Sequence, residues 1–545
     1  MNSLNIVIIG AGASGLTAAS NIRKYDDESQ IIVFTTQKHV AYSPCAIPYV
    51  IGGHIDSFDD IIMHKPEEYM RKNIRILTET TVTEINNDIT ELTYEDKKGN
   101  KQNLKYDKLV IATGGKPLIP PIPGKDLEGV FKVRTVEDGE EILAYSQNCQ
   151  NVILVGGGAI GLELGSELAH KGIKVTIAEM MPQLFPRSFD QEMSDKFQEH
   201  LQEKNIEILT SSAVESINGE TKVESVTIDG VEKQADMVIL STGVRPQTAL
   251  AESIGCELGQ FAIKVTPHME TSVPNVYAAG DCVEVTNAIT GDITLSPLGT
   301  TAVRQGIILA KNLAGHEIEF QPVLNSTVSQ IGEMEMGAVG ITQQEAEKQG
   351  IPIVVSTCES LSRARYYPGS KPLFIKLIAK TDGTIIGCQM FGQEAVAERV
   401  DTMTAIMSQK LTCDDIVSME FSYAPPVSQV IDPIAKAAED CLEKIDALGK
   451  QEEINDEPVD EAPAEEVEEE TETQEEPVEE PVEEPVEEPV DEPVDEPVDE
   501  VEDETAEVES EETETQTTPE EKASEESSDK MTFPEYLRSQ GIIDK

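Results

Sequence analysis

The sequence has no pair of cysteines at the spacing that a local dithiol or a zinc cluster requires. Its 8 cysteines are scattered, and none falls into a C-x-x-C or C-x-x-x-x-C pattern. This absence argues against a clustered metal site and against an active-site dithiol. Scattered, unpaired thiols are typical of proteins that stay in a reducing compartment. We therefore expect a cytoplasmic protein.

A basic leader and long apolar runs are also missing. The N-terminal residues MNSLNIVIIGAGASG carry no basic segment, and their short apolar run ends in glycines, which is typical of a strand rather than of a signal peptide. No apolar stretch approaches the ~20 residues that a membrane-spanning helix needs. The sequence thus predicts a soluble protein without a membrane partner.

Positive charge is scarce, since 102 acidic residues stand against 42 basic ones and the net charge is −60. Residues 451–545 hold 41 of the acidic and 4 of the basic residues, so this tail is a polyanion and the body is only moderately acidic. Such a balance argues against nucleic acid and anionic membranes as partners, because like charges repel.

Two glycine-rich turns each follow a short apolar strand and precede a helical pattern. Their shared spacing is G-x-G-x-x-G, formed by Gly10, Gly12 and Gly15 in the first turn and by Gly156, Gly158 and Gly161 in the second. The spacing permits a tight turn, close approach of a pyrophosphate and close packing of the helix. The chain therefore contains two dinucleotide-binding units.

The strand after each turn indicates how the ribose is held. IIVFTTQK places Thr35 where a carboxylate is expected, and a hydroxyl binds a ribose more weakly than a carboxylate does. KVTIAE ends in Glu179, at the distance from the second turn that a ribose-binding carboxylate requires. A carboxylate there repels a 2′-phosphate, so we expect NADH at the second unit, with NADPH as the alternative.

Changes of composition divide the chain into domains. LVIATGG and MVILSTGVRP each end a strand in glycine, and the proline-rich KPLIPPIPG is suited to a stiff crossing between domains. We predict an α/β fold with two Rossmann-like domains, followed by an α+β domain and a disordered acidic tail. The expected bounds are 1–116 with 245–323 for a discontinuous first domain, 117–244 for the inserted second domain, 324–448 for the α+β domain, 449–530 for the acidic linker and 531–545 for a terminal peptide.

The tail combines a low-complexity linker with an apolar end. Proline at every fourth residue of EEPVEEPVEEPVDEPVDEPVDE forbids a helix, and the charge density forbids a core. In the terminal peptide Thr532 and Glu535 form a capping box, and Phe533 and Leu537 share one helical face. This peptide is either a short helix that docks in a partner's groove or the frayed end of a solubility tail.

The order of these motifs resembles that of the pyridine nucleotide-disulfide oxidoreductases from about Leu4 to Leu448, with AAGDC as a further matching string. The resemblance implies FAD on the first domain, the nicotinamide cofactor on the inserted domain and a homodimer interface on the third. It also implies FAD contacts, with the aspartate on the ribityl chain, for Thr113, Gly114, Gly280 and Asp281. Glu163 matches a family glutamate near the nicotinamide.

Cys45, in AYSPCAIPYVIGG, resembles the redox cysteine of the family's single-cysteine branch, because Val50 stands where the dithiol branch has its second cysteine. Pro44 and Pro48 predict a helix start at Cys45, where the helix dipole would lower the pKa of the thiol. The other seven cysteines are interpreted as structural. A lone cysteine stores oxidising equivalents as a sulfenic acid or a mixed disulfide. Ala13 replaces the histidine of peroxide- and oxygen-reducing members, which favours the mixed disulfide.

Two strings near the C-terminal end of the body, RARYYPGSKPLF and FSYAPPVSQVIDP, resemble those of coenzyme A disulfide reductases and coenzyme A-dependent persulfide or sulfur reductases. In those enzymes tyrosines of the partner subunit approach the cysteine. The resemblance implies catalytic roles for Tyr423 and Tyr367, with Tyr366 as the alternative to Tyr367. The competing interpretation is that these are interface aromatics. Arg23 matches a family position that would bind the phosphates of coenzyme A.

The sequence therefore predicts an FAD-dependent enzyme that passes electrons from NADH to a small-molecule disulfide or persulfide at Cys45. Coenzyme A is the expected thiol. One alternative is an NADH oxidase or peroxidase. Another is a flavoprotein whose main role is to dock a partner through its acidic tail.

Overall fold

Short runs of isoleucine and valine form the first sheet, and their nearly continuous burial is typical of parallel strands covered on both faces. The computed structural model describes residues 3–203 and 206–456, which belong to one compact unit. The elements before the inserted domain are β1 (Asn5–Ile9), α1 (Ala13–Tyr25), β2 (Gln30–Phe34), α2 (Ile47–Gly52), α3 (Pro66–Met70), β3 (Ile74–Leu77), β4 (Thr80–Asn86), β5 (Glu91–Asp96), β6 (Lys101–Lys105), β7 (Lys108–Ile111) and β8 (Gly115–Pro117).

The inserted domain repeats this architecture around the second glycine turn. Its elements are β9 (Val130–Lys132), α4 (Val136–Ser146), β10 (Asn151–Val155), α5 (Ala159–His170), β11 (Lys174–Ala178), α6 (Gln191–Glu203), β12 (Ile206–Leu209), β13 (Val214–Asn218), β14 (Ser225–Ile228), β15 (Val231–Gln234) and β16 (Met237–Leu240). The parallel sheet has the order β12–β11–β10–β16–β9, and β13, β14 and β15 form a separate antiparallel sheet.

The chain then returns to the first domain through β17 (Val244–Pro246), α7 (Ala249–Ser253), β18 (Val276–Ala278), β19 (Val285–Thr286), β20 (Ile293–Thr294) and α8 (Gly299–Leu313). Strand β17 pairs antiparallel with β8, so that Arg245 lies opposite Lys116. Strand β18 joins β7 and completes the parallel order β18–β7–β1–β2–β3. The first domain is thus built from two pieces of chain, and the inserted domain leaves and re-enters through one pair of strands.

The third domain is an antiparallel sheet covered by helices. It contains β21 (Thr327–Ile331), β22 (Met334–Gly340), α9 (Gln343–Lys348), β23 (Ile353–Leu361), β24 (Pro372–Lys380), β25 (Ile385–Gly392), α10 (Ala397–Ser408), α11 (Cys413–Ser418) and α12 (Pro433–Asp456). The strand order is β21–β22–β25–β24–β23. Leu377 of the sheet shares one core with Met403 of α10, Ile416 of α11 and Ala437 of α12. Helix α12 continues past the boundary expected at residue 448.

The α/β fold class is confirmed, with two Rossmann-like domains and an α+β domain in the expected order. The acidic repeat and the capping box of Thr532 and Glu535 lie outside the described residues. Within residues 3–203 and 206–456, no helix is both long and apolar enough to cross a membrane.

Candidate functional site

The first glycine turn forms a cradle at the start of α1. Gly10 has a φ of +118°, and a Cβ there would lie 2.0 Å from the carbonyl oxygen of Ala112. A Cβ on Gly15 would lie 2.0 Å from the carbonyl oxygen of Gly10, so this glycine lets helix and strand pack. Around Gly12 the space is open, and this residue begins α1 without a side-chain cap. Free N–H groups in open space at a helix start fit a pyrophosphate.

The AAGDC string lies against this cradle. The amide of Gly280 donates to Oε1 of Gln305 at 2.7 Å, and a Cβ on Gly280 would meet Oγ of Ser14 at 2.5 Å. Gln305 is fully buried, yet its Nε2 has no hydrogen-bond partner among the described residues. A buried amide without an acceptor is costly, so this donor fits a bound polar group. The open turn and the orphaned amide together fit FAD.

Arg134 is a site residue that the sequence interpretation missed. Its Nη2 lies 3.2 Å from Oδ2 of Asp281, and it would lie 3.8 Å from a Cβ on Gly114. The residue directly precedes α4, whose start is fixed by a capping box of Thr135 and Asp138. The T-x-x-D pattern was the available signal, because it predicts a helix start that would bring the preceding arginine to a fixed place.

Thr113 and Gly114, which are also predicted to contact FAD, form hydrogen bonds with the backbone of Gln247 in this structure. The Oγ1 of Thr113 donates to the carbonyl of Gln247 at 2.7 Å, and the amide of Gln247 donates to the carbonyl of Gly114 at 2.9 Å. These bonds tie the end of β7 to the segment that follows β17. Thr35 is buried and its Oγ1 accepts from the amide of Gln37 at 3.2 Å. FAD contacts for Thr113 and Gly114 stay a prediction.

The second glycine turn has the same geometry. Gly156 has a φ of +114°, a Cβ on Gly161 would lie 2.2 Å from the carbonyl oxygen of Gly156, and the space around Gly158 is open. Glu179 lies buried at the turn, where its carboxylate accepts from the amides of Gly157 at 2.6 Å and Met181 at 2.7 Å. Each carboxylate oxygen retains a further lone pair for a ribose hydroxyl. The turn and Glu179 together fit a nicotinamide dinucleotide.

Cys45 lies in a 3₁₀ turn, Pro44–Ala46, that leads into the six-residue helix α2. The expectation that a helix dipole lowers the pKa of this thiol is wrong. Desolvation by the surrounding chain raises the pKa of Cys45, and the charge of Glu163 raises it further, whereas a hydrogen bond to Ser43 and the charge of Arg134 oppose the rise. Desolvation is the largest of these effects, because removal of the thiol from water disfavours its charged form. Cys45 as a residue is nevertheless exposed.

Glu163 comes to Cys45 from the inserted domain, on α5, which packs against α2. Burial raises the pKa of Glu163 to about 7, a hydrogen bond with Ser329 lowers it, and the charge of Glu167 raises it. The resemblance placed Glu163 near the nicotinamide, and the structure adds that its charge raises the pKa of the Cys45 thiol. A carboxyl group with such a pKa exchanges protons near neutral pH.

The predicted tyrosines lie on the surface of the third domain. The hydroxyls of Tyr366 and Tyr423 are 2.7 Å apart, which favours Tyr366 over Tyr367 as the neighbour of Tyr423. This hydrogen bond raises the pKa of Tyr423. Val430 is 70% exposed and Val427 is 68% exposed in the same segment. So much exposed apolar surface indicates a contact with another protein surface.

Arg23 is engaged with the backbone of its own domain. Its guanidinium donates to the carbonyls of Asp26 and Ser29 at 2.6 Å and of Asn73 at 2.9 Å. Binding of a coenzyme A phosphate by Arg23 stays a prediction. In the part of the chain that the structure describes, no group of three or more histidine, cysteine, aspartate or glutamate residues could hold a metal ion.

Comparison with known protein families gives two matches. Residues 4–313 match the family described as pyridine nucleotide-disulphide oxidoreductase. Residues 329–434 match the dimerisation domain of the same family. Together these two regions cover all three folded domains.

The chain is also similar to individual proteins. The chain is 52% identical over 445 residues to an NADH oxidase of Methanocaldococcus jannaschii, covering 81% of this chain and 99% of that protein. It is 35% identical to a coenzyme A-dependent NAD(P)H sulfur oxidoreductase of Pyrococcus abyssi, covering 79% of this chain and 97% of the relative. The crystal structure of reduced CoADR-RHD from Bacillus anthracis superposes with a TM-score of 0.80 at 31% identity, covering 82% of this chain and 81% of the other.

Proposed function

Because the chain belongs to the pyridine nucleotide-disulphide oxidoreductase family, we propose that it uses NADH to reduce a disulfide or persulfide of coenzyme A at Cys45. It is an FAD-dependent NAD(P)H oxidoreductase of the group that includes sulfur reductases and NADH oxidases. The proposal that the substrate is a disulfide or persulfide of coenzyme A depends on Cys45. All eight cysteines lie within the described residues, and Cys45 is the one that is exposed. The charge of Arg134, which pairs with Asp281, lowers the pKa of this thiol.

When bound, FAD and NADH supply the electron pair, and the protein supplies position and charge. Cys45 provides the sulfur of the mixed disulfide, whose S–S bond breaks as the outer sulfur leaves. Arg134 stabilises the thiolate that remains, since its charge lowers the pKa of Cys45. Tyr423, contributed across a homodimer interface, donates a proton to the leaving sulfur. The dimerisation domain and the exposed surface around Val427 and Val430 support this assembly.

Glu179 should set the preference for NADH. We expect Glu179→Gln to lower kcat/KM for NADH about tenfold, because a neutral amide binds the ribose hydroxyls less strongly than a carboxylate. The discrimination against NADPH should also fall, because the repulsion of a 2′-phosphate is gone. Steady-state kinetics with both nucleotides measures this. Glu215→Gln, on an exposed residue of the same domain, is the matched control. A wild-type enzyme that prefers NADPH would contradict the assignment.

Shared active sites should allow two inactive subunits to complement each other. Cys45→Ser and Tyr423→Phe subunits, mixed and reassembled, should recover about half the activity of a wild-type dimer per heterodimer, since one of the two sites then holds both native residues. The activity of purified heterodimers carrying two different affinity tags measures this.

The matched control pairs a Cys45→Ser subunit with a Cys45→Ser/Tyr423→Phe subunit, which can restore no site. Recovery in the first mixture and none in the control supports a site built from two subunits. Heterodimers as inactive as the control, with each single variant inactive alone, would place Cys45 and Tyr423 in the active site of one subunit. Full activity of Tyr423→Phe alone would remove this tyrosine from the mechanism.

An NADH oxidase is the second candidate, favoured by the 52% identity to the M. jannaschii protein of that name. Ala13 begins α1, where peroxide- and oxygen-reducing members carry a histidine, and this departure supports the disulfide instead. One experiment distinguishes the oxidase function from the disulfide reductase function. NADH consumption is followed without oxygen in the presence of coenzyme A disulfide, and with oxygen in its absence. Faster turnover with oxygen alone would establish the oxidase.

A further inference from the structure

Titratable side chains of α5 and of the segment after α2 form a row that begins at an exposed imidazole and includes Glu163, whose charge acts on Cys45. Glu163 and Glu167 lie four residues apart on α5 and therefore share one face of the helix. The Nε2 of His54, from the segment after α2, lies 3.1 Å from Oε2 of Glu167. The ring of His54 also stacks on that of His170, with the ring centres 5.8 Å apart. The row thus begins at the exposed imidazole of His54 and ends at Glu163, whose charge raises the pKa of Cys45.

The packing of α2 against α5 leaves room for the carboxylate of Glu167. A Cβ on Gly52, the last residue of α2, would lie 1.8 Å from Oε2 of Glu167. Glu167 is 5% exposed, and although Oε2 forms an ion pair with His54, no described residue meets the geometry of a hydrogen bond to it. A buried carboxylate with so few partners is costly. The imidazole of His54, 3.1 Å away, is a group with which this carboxylate can exchange a proton.

The charges around this row favour exchange of a proton. Burial raises the pKa of Glu167, and the charges of His54 and His170 oppose the rise. The remaining ionisable groups that face the row are Tyr49 of α2, Lys171 at the end of α5 and Arg134 beyond Cys45. The Nζ of Lys171 donates to the carbonyl of Ile51 at 2.9 Å, so its charge is held at the end of α2.

Reduction of a disulfide by NADH consumes one proton from solvent. The hydride brings two electrons and one proton, the S–S bond breaks, and the two thiols that form need two protons. We propose that His54 and Glu167 carry this second proton from solvent to Glu163 beside Cys45. The route deepens the proposed disulfide reductase function, and it assigns roles to two residues that cofactor binding does not explain.

The first test needs no substrate. The rate at which iodoacetamide alkylates Cys45 in the FAD-loaded protein is measured against pH by mass spectrometry. In the wild type this profile should inflect near the pKa of Glu163, about 7, because ionisation of Glu163 raises the pKa of the thiol. In Glu167→Gln the inflection should move to lower pH, since a negative charge beside Glu163 is lost. An unchanged profile would overturn the link between the two carboxyl groups.

Gly52→Ala repeats this test without altering a charge. Alanine suits a helix, so the main effect of the added methyl group is to displace the carboxylate of Glu167 from its place. The inflection in the alkylation profile should move in the same direction as in Glu167→Gln. A profile like that of the wild type, in a variant with wild-type thermal stability, would show that the position of Glu167 is unimportant.

The second test measures turnover with coenzyme A disulfide. We expect His54→Ala to slow turnover roughly 10-fold, at the low end for loss of a proton-transfer group, and to increase the solvent deuterium isotope effect. Added imidazole should restore the rate, because the side chain of His54 is exposed. The matched control is His64→Ala, whose imidazole lies 3.1 Å from Glu68 in a pair whose two side chains are both exposed. The turnover of His64→Ala should equal that of the wild type, and added imidazole should not change it.

The two tests separate two kinds of failure. A wild-type protein that reduces no disulfide, combined with a shifted alkylation profile in Glu167→Gln, overturns the proposed substrate and leaves the row of residues intact. Full disulfide turnover in His54→Ala with a wild-type isotope effect overturns the proton route and leaves the reductase function intact.

Discussion

Replacing Cys45 with serine should reduce disulfide turnover by a factor on the order of 10³ or more, because a hydroxyl cannot form a mixed disulfide or accept its electron pair. The variant should remain yellow. The cradle for FAD is built by Gly10, Gly12 and Gly15 with Gln305, and none of these residues contacts Cys45 through a hydrogen bond among the described residues. Reduction of bound FAD by NADH should therefore proceed at the wild-type rate.

Stopped-flow absorbance of the flavin and steady-state turnover with coenzyme A disulfide check the two halves of this prediction. Cys149→Ser is the matched control, because Cys149 is a half-buried thiol of the inserted domain that donates to the carbonyl of Tyr145 at 3.4 Å. The control should keep wild-type turnover. Turnover of Cys45→Ser within tenfold of the wild type would rule out the mechanism built on this residue.

Lys376→Met should destabilise the folded protein by about 3–5 kcal/mol, the usual cost of removing one partner of a buried ion pair. Lys376 is completely buried in β24, and its Nζ lies 3.0 Å from Oδ2 of Asp190 and in contact with Glu192. Asp190 belongs to the inserted domain and also accepts from Nε2 of Gln389 at 2.6 Å. The substitution leaves the carboxylate of Asp190 without its cation at an interface between domains.

Thermal and urea unfolding, followed by circular dichroism and by release of FAD, measure this effect. Lys380→Met, at the less buried end of the same strand, is the matched control and should change the stability by no more than about 0.5 kcal/mol. Equal unfolding midpoints for Lys376→Met and Lys380→Met would contradict this account.

The sequence was sufficient to predict the fold because the glycine turns and strand ends are local patterns. The crossing expected near Lys116 and Arg245 appears as a strand pair in which these two residues lie opposite each other. The positions of Gly15 and Gly161 follow from the same rule, since in both turns a side chain would collide with the backbone of the preceding strand end.

The site was harder to predict because its electrostatics depend on contacts between distant parts of the chain. The charges of Glu163 and Arg134, both from the inserted domain, act on Cys45, and desolvation by the surrounding chain together with Glu163 reverses the direction expected for the pKa of the thiol. No local sequence pattern predicts such an interaction between distant parts of the chain. The contact between the hydroxyls of Tyr366 and Tyr423 was equally hidden, since two adjacent residues in a loop differ in orientation rather than in spacing.

The pairing of β8 with β17 brings the two ends of the inserted domain side by side. A segment whose ends meet can be cut out and replaced as a cassette, and recombination between related genes could therefore exchange nucleotide specificity in one event. Such an exchange would not be neutral for the rest of the enzyme. The incoming cassette must also supply the carboxylates at positions 163 and 190, which serve Cys45 and Lys376 outside its own borders. Chimeras that change the nucleotide while keeping these two carboxylates are the ones we expect to fold and turn over.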